Sequence, residues 1–156
     1  MKKVMFISST GGHLSELLQL APLFEEYDYS IVTEKTKSTL GLVDKYPNRV
    51  DYLVPGTKSH MLSYLFKFGY NIIKSLCLLI KKNPDVIVTT GTHTAVPMCY
   101  WGKLFRKKII FIETFANSDT KTMAGKLVYP IADTFIVQWE SMLELYPNAI
   151  YGGWIY

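Results

Sequence analysis

Six short runs rich in β-branched and aromatic residues recur along the chain: Lys3–Ser8, Asp28–Thr33, Arg49–Val54, Asp85–Thr90, Lys108–Ile112 and Asp133–Val137. Segments with helical periodicity separate most of them, and this alternation constrains the fold more than any other feature. Strands joined through helices run parallel, and a parallel sheet must be covered on both faces. The pattern predicts an α/β fold with a doubly wound, mainly parallel, Rossmann-like sheet. Asn83-Pro84-Asp85 ends a helix and starts a strand, and Tyr146-Pro147-Asn148 does the same further on, because proline disfavours helical geometry in the residue before it. With 156 residues, no repeat, no low-complexity tract and no linker, the chain reads as one domain, residues 1–156.

In such a sheet ligands bind beyond the carboxyl ends of the strands, where strand order reverses. After the first strand stands Thr10-Gly11-Gly12-His13, followed by Leu14, Leu17 and Leu18 at helical spacing. Glycines let a backbone turn sharply and approach a ligand, and free N–H groups opening the next helix favour an anion such as phosphate; a plain strand-to-helix turn is the alternative. His13 suits a general base, a phosphate ligand or a local cap. Thr89-Thr90-Gly91-Thr92-His93-Thr94 forms a second glycine-plus-hydroxyl turn after the fourth strand. The two turns are expected to flank the switch point and face one crevice, with Gly11, Gly12, Gly91, Thr92 and His93 as binding residues.

After the fifth strand, Glu113 is placed to orient or deprotonate a sugar hydroxyl, or else caps the next helix or pairs with Lys121. Ser118 or Asp119 is the expected cap of that helix, which leaves Glu113 free. An NAD-type site with Glu34 as ribose ligand finds little support, since the spacing G-x-G-x-x-G is missing.

The segment His60–Lys82 is long enough for a bilayer at about 1.5 Å per residue. Lys67 and Lys74 in its middle oppose spanning, each costing roughly 2.5–3.5 kcal/mol on insertion scales. Lys67, Lys74 and Lys81 recur every seven residues and form one stripe with His60, Ser63 and Asn71, while the rest of the circumference, including Tyr64, Leu65 and Phe68, is apolar. That surplus of apolar surface beside lysines suits a helix lying on an anionic membrane, or one covered by another subunit. Tyr100-Trp101-Gly102-Lys103-Leu104-Phe105-Arg106-Lys107-Lys108 has the same character, with Trp101, Phe105 and Arg106 as interfacial anchors or, for the two aromatics, core residues.

The net charge of +4 is mild, and no nucleic-acid partner is expected. Hydrophobic residues make up 49% and charged residues 19% of the chain, a balance that favours contact with lipid or a partner. The apolar stretch Val4–Ile7 is too short for a signal peptide, which places the chain in the cytoplasm. Cys77 and Cys99 lack metal-ligand spacing and are expected as reduced, packed thiols. Neither a metal nor another cofactor is expected.

Three stretches together, Ser8-Ser9-Thr10-Gly11-Gly12-His13, Pro84-Asp85-Val86-Ile87-Val88 leading to Gly91, and Phe111-Ile112-Glu113-Thr114-Phe115-Ala116, resemble the N-terminal, acceptor-binding half of MurG-type GT-B glycosyltransferases. The likeness is strongest to the split form, the PssD/CpsF subunits of capsule and exopolysaccharide synthesis. The chain is also similar to the membrane-recruiting subunit of the eukaryotic two-chain N-acetylglucosaminyltransferase that extends dolichol-linked oligosaccharide. The resemblance implies a peripheral domain on the cytoplasmic face of the membrane that binds a polyprenyl-diphosphate-linked sugar. It also implies a UDP-sugar site mainly on a separate PssE/CpsG-like chain, so that this chain is one half of a hexosyltransferase. In that frame His13 and Glu113 are the catalytic candidates and Asn117 joins the acceptor-binding residues. Ile112 departs from the histidine that MurG-type enzymes tend to carry before the glutamate. A non-catalytic membrane anchor for a complete enzyme chain is the alternative.

Overall fold

The computed structural model describes residues 1–56 and 61–156. The described residues form one sheet of seven parallel strands in the order β3-β2-β1-β4-β5-β6-β7. The strands are β1 (Lys3–Ser8), β2 (Asp28–Glu34), β3 (Val50–Leu53), β4 (Val86–Gly91), β5 (Lys108–Ile112), β6 (Thr134–Val137) and β7 (Ile150–Tyr151). The helices are α1 (Gly12–Leu18), α2 (Leu42–Lys45), α3 (Met61–Lys82), α4 (Val96–Leu104) and α5 (Met123–Val128), with 3₁₀ turns at Ala21–Glu26 and Glu140–Leu143. The α/β, doubly wound parallel sheet expected from the alternation is the one observed, and β7 follows the Tyr146-Pro147-Asn148 break.

Three strands, β3, β4 and β6, begin one residue later than their apolar patterns suggest, and in β4 and β6 the aspartate just before the strand bonds across to a neighbouring strand. Asp85 accepts the Lys3 N–H at 2.9 Å and Asp133 accepts the Ile109 N–H at 2.9 Å. Both carboxylates therefore stitch the amino-terminal edge of the sheet.

Strand alternation sorts the core into two layers. Val4 and Phe6 of β1 point to the face covered by Leu14, Leu17, Leu20 and Phe24, whereas Met5 and Ile7 point to the face covered by Leu78, Leu79, Met98 and Cys99. Each buried side chain of this size contributes about 1.5–3 kcal/mol of transfer free energy. Cys99 is buried, and burial pushes its thiol up to about 12. Cys77 is exposed on α3, so the expected packed thiol is found only at Cys99. Strand order reverses between β1 and β4: from β1 the chain proceeds to β2 and β3 on one side, then returns to β4 on the other.

Candidate functional site

The loops leaving β1 and β4 lie side by side and are bonded to one another. Ser9 N–H donates to the Gly91 carbonyl at 3.1 Å, Thr92 N–H donates to Ser9 Oγ at 3.2 Å, and the Ser9 and Thr92 hydroxyls are 2.7 Å apart. Gly11 (φ +80°) and Gly91 (φ +96°) occupy the left-handed region that L side chains rarely adopt. A Cβ at Gly11 or Gly12 would meet nothing within 4 Å, so this turn presents open backbone. No described side chain caps α1, and its first hydrogen bond runs from Ser15 N–H to the Gly11 carbonyl at 3.1 Å. The N–H groups before Ser15 consequently lack an intrahelical partner and suit an anion.

His13 joins the two loops. Its Nδ1 lies 2.7 Å from the Thr90 carbonyl oxygen, and the Thr90 hydroxyl donates to the His13 carbonyl at 2.7 Å. A carbonyl only accepts, so Nδ1 carries the proton and the neutral ring keeps its lone pair on Nε2. The ring of half-buried His13 is thus held in the tautomer that a general base requires, by backbone on a different strand rather than by a local cap.

Glu34, at the end of β2, ties the two turns together through Thr10 and Thr94. It is 5% exposed. Its carboxylate accepts Thr10 N–H (3.2 Å), Thr10 Oγ1–H (3.0 Å), Gly56 N–H (3.3 Å) and Thr94 Oγ1–H (2.7 Å). Burial disfavours the charged form, but these four donors outweigh it and hold the carboxyl below its usual range. His93 Nε2 lies 4.0 Å from the same carboxylate, and the His93 ring sits 5.9 Å from that of Tyr64 at the start of α3. With both oxygens engaged inside the chain, Glu34 is not available as a ribose ligand. Its role was hidden in the sequence because its partners come from three separate segments.

Glu113 is placed otherwise than expected. It is 1% exposed, and its carboxylate accepts Thr114 N–H (3.1 Å), Thr122 Oγ1–H (2.9 Å) and Tyr146 O–H (2.8 Å). Gly125 approaches so closely that a Cβ there would collide with Glu113 Oε2 and the Tyr146 hydroxyl. Thr122, not Ser118 or Asp119, caps α5, its Oγ1 accepting Gly125 N–H at 2.9 Å. Glu113 therefore secures the cap of α5 from the core, its carboxylate engaged by donors of the chain itself. Burial, and next the Glu113 charge, push the Tyr146 phenol well above its ordinary value. Half-buried Asn117 lies in the turn after β5, its N–H donating to the Thr114 carbonyl at 3.3 Å.

Helix α3 carries its polarity the wrong way round for a sheet-packing helix. Asn71 and Ser75 are buried with Leu78 and Leu79, while Leu62 (73%), Phe66 (79%), Tyr70 (53%), Ile73 (65%) and Ile80 (61%) are exposed. Asn71 does not join the lysine stripe; it bonds the backbone of Val54 twice, at 2.9 and 2.7 Å, and fixes α3 to the end of β3. His60 lies outside the described residues. Lys67 and Lys74 are half-buried and Lys81 is exposed, along one border of the apolar face. Leu65 is exposed, whereas Tyr64 and Phe68 stack on each other at 6.1 Å and are partly buried. Trp101 donates its indole N–H to the Ile72 carbonyl at 3.0 Å and so ties α4 to α3, while Phe105 and Arg106 are exposed.

Between these two helices runs an apolar groove of about 590 Å³, lined among others by Phe68, Ile72, Pro97, Tyr100, Trp101 and Leu104. Among the described residues no helix is long and apolar enough to cross a membrane. The exposed residues Leu62, Phe66 and Ile73 were not singled out in the sequence, although they share one helical face.

Comparison with solved structures supports the fold. Acinetobacter baumannii MurG superposes with a TM-score of 0.73 at 15% identity, covering 90% of this chain and 43% of that one. The S. aureus MnaA–UDP co-structure gives 0.73 at 17% identity, covering 97% and 43%. The chain thus spans about two fifths of the length of these proteins. The UDP-N-acetylglucosamine transferase subunit ALG14 of Mus musculus is 26% identical over 177 residues, covering 97% of this chain and 82% of the relative. Its counterpart in Candida albicans is 27% identical over 168 residues, covering 97% and 77%. The family described as "Oligosaccharide biosynthesis protein Alg14 like" matches residues 56–155, from the segment before α3 through the second glycine turn and Glu113 to the last strand. The chain belongs to the Alg14-like family.

Proposed function

We propose that this chain is the acceptor-binding, membrane-docking subunit of a two-chain glycosyltransferase in polysaccharide biosynthesis. The complex moves a sugar from a UDP-sugar to a polyprenyl-diphosphate-linked saccharide. The observation that carries this proposal is the contact of Tyr64 in α3 with His93 in the second glycine turn, at 5.9 Å between rings. It puts the start of a lysine-bordered apolar helix beside the second glycine turn. A lipid diphosphate needs both: a polar site for its head and an apolar surface for its tail.

The family relatives named as subunits of a UDP-N-acetylglucosamine transferase support a partner that holds the donor. In this assembly the Gly11–Gly12 turn receives the diphosphate, and Thr92, His93 and Asn117 border the acceptor. The apolar groove and face of α3 and α4 meet the lipid at the cytoplasmic face of the membrane. His13 Nε2 accepts the proton of the attacking acceptor hydroxyl as the bond to the anomeric carbon forms and the UDP–sugar bond breaks. The second reading, a non-catalytic membrane anchor, draws support from the burial of Glu113, which leaves His13 as the remaining chemical candidate.

Transfer from UDP-sugar to a polyprenyl-diphosphate acceptor, measured with this chain alone, its partner alone and both together, tests the proposal. Activity is expected only with both chains. Full activity of either chain alone would overturn it, the partner alone being active in the anchor reading if tethered to the membrane.

A further inference from the structure

Three aromatic rings stack at the carboxyl end of β5 and β6, outside the crevice already described. Phe115 lies between Trp139 (centroids 4.7 Å apart, planes 30°) and Trp154 (5.5 Å, 22°). The stack is held in place by polar bonds. Phe115 N–H donates to Glu16 Oε1 at 3.2 Å, Thr114 Oγ1–H donates to the same oxygen at 2.8 Å, and Trp139 Nε1–H donates to the Phe115 carbonyl at 2.8 Å. Trp154 nevertheless stays 73% exposed, an unusual state for the largest apolar side chain unless it serves recognition.

Beside the stack is a hollow of about 190 Å³ lined by Ser15, Glu16, Gln19, Phe115, Trp154 and Tyr156. It is smaller than the roughly 300–1,000 Å³ that encloses a drug-sized ligand, a size for one ring. Ser15 and Gln19 are exposed on the α1 side, while Glu16 Oε2 is buried behind them with no hydrogen-bond partner among the described residues.

We propose that this hollow is a monosaccharide subsite, with a pyranose ring lying on Trp154 and its hydroxyls facing Ser15 and Gln19. A pyranose has a face of C–H groups and a rim of hydroxyls. It therefore matches an aromatic floor with a polar wall, whereas a peptide side chain would leave one of the two unmatched. Glu16 follows Gly12 by one turn of α1, about 6 Å along the axis. That spacing suits a sugar joined directly to a phosphate, and a nucleobase would be held further off by its ribose. Assigning the ring to the acceptor's own sugar rests on the reading of the Gly11–Gly12 turn as the diphosphate site.

The test uses the full chain in two arms. In the first, the indole N–H signals of Trp101, Trp139 and Trp154 are followed by NMR during titration with methyl glycosides of glucose, galactose, N-acetylglucosamine and glucuronic acid. At least one glycoside is expected to move Trp154 and leave Trp101 unchanged, and Gln19→Ala is expected to weaken that response. In the second, binding of geranyl diphosphate is compared with binding of the same diphosphate bearing that sugar. The sugar is expected to add about fivefold to tenfold in affinity, and Trp154→Ala to remove that gain while leaving the sugar-free ligand unaffected.

If no glycoside moves Trp154, the subsite is overturned whatever happens at the glycine turn. If glycosides bind but neither diphosphate does, the subsite stands and the diphosphate site fails. Retention of the full sugar gain by Trp154→Ala overturns the subsite. So does loss of association with the partner chain in Trp154→Ala together with an undiminished glycoside response in Gln19→Ala, which would make the stack a protein interface.

Discussion

His13 and Thr90 exchange two hydrogen bonds across the β1–β4 switch, the imidazole Nδ1 to the Thr90 carbonyl and the Thr90 hydroxyl back to the His13 carbonyl, each at 2.7 Å. The pair locks the crevice and sets the tautomer together. Replacement by asparagine keeps a donor near the Nδ1 position and removes the Nε2 base. His13→Asn is therefore expected to fold and bind its partner normally while transfer falls by about 10²-fold or more. Normal rates in steady-state assays of the reconstituted pair would assign His13 a structural role alone.

Glu113 is expected to behave as a stability residue. Glu113→Gln turns one acceptor oxygen into a donor against the Thr122 and Tyr146 hydroxyls, at a cost of about 1–3 kcal/mol. Thr122→Ala loses the cap of α5 and a donor to Glu113, costing about 1–2 kcal/mol. Both should lower the midpoint of denaturant unfolding, with transfer per folded molecule changed less than threefold on the order-of-magnitude scale of such effects. A deep loss of rate in a fully folded Glu113→Gln protein would return the residue to the chemistry.

Acid should weaken the crevice through Glu34. Its folded carboxyl is held below the unfolded value near 4.5. The stability it contributes is thus fully present above that value and is lost as pH falls through the lower folded value. The stability gap between wild type and Glu34→Gln is expected to be constant from about pH 6 to 8 and to close on acidification below 4.5. Urea titrations at a series of pH values measure it, and a gap that widened in acid would contradict the sign.

Membrane contact should divide into apolar and electrostatic parts. Phe66→Asp with Ile73→Asp, both on the exposed face of α3, is expected to abolish flotation with liposomes of any composition. Replacing Lys67, Lys74 and Lys81 by glutamine should weaken binding only to anionic vesicles, at about 1 kcal/mol per lysine or roughly 10²-fold in all. Salt should weaken the wild-type interaction in the same way. Equal binding of every variant would move the apolar face from lipid to a protein partner.

What the sequence by itself determined is what short-range periodicity encodes. Continuous β-branched and aromatic runs such as Lys3–Ser8 alternating with helical segments, glycine at the turns after β1 and β4, and proline at Asn83-Pro84-Asp85 are local constraints on backbone geometry, and they suffice for a doubly wound parallel sheet and the place of its switch point. The apolar surplus of α3 was equally legible, because a helix has one period and its faces can be counted.

Only the tertiary structure decided which polar groups are spent. Glu113 and Glu34 both end strands and look alike in sequence, yet one is tied to Thr122 and Tyr146 and the other to Thr10, Gly56 and Thr94. Asn71 matched the period of the lysines but is drawn inward by the open backbone of Val54. The physical reason is the same in each case. A buried donor or acceptor must find its partner wherever the fold brings one within about 3 Å, and that partner, 9 to 60 residues away along the chain, leaves no trace in local spacing.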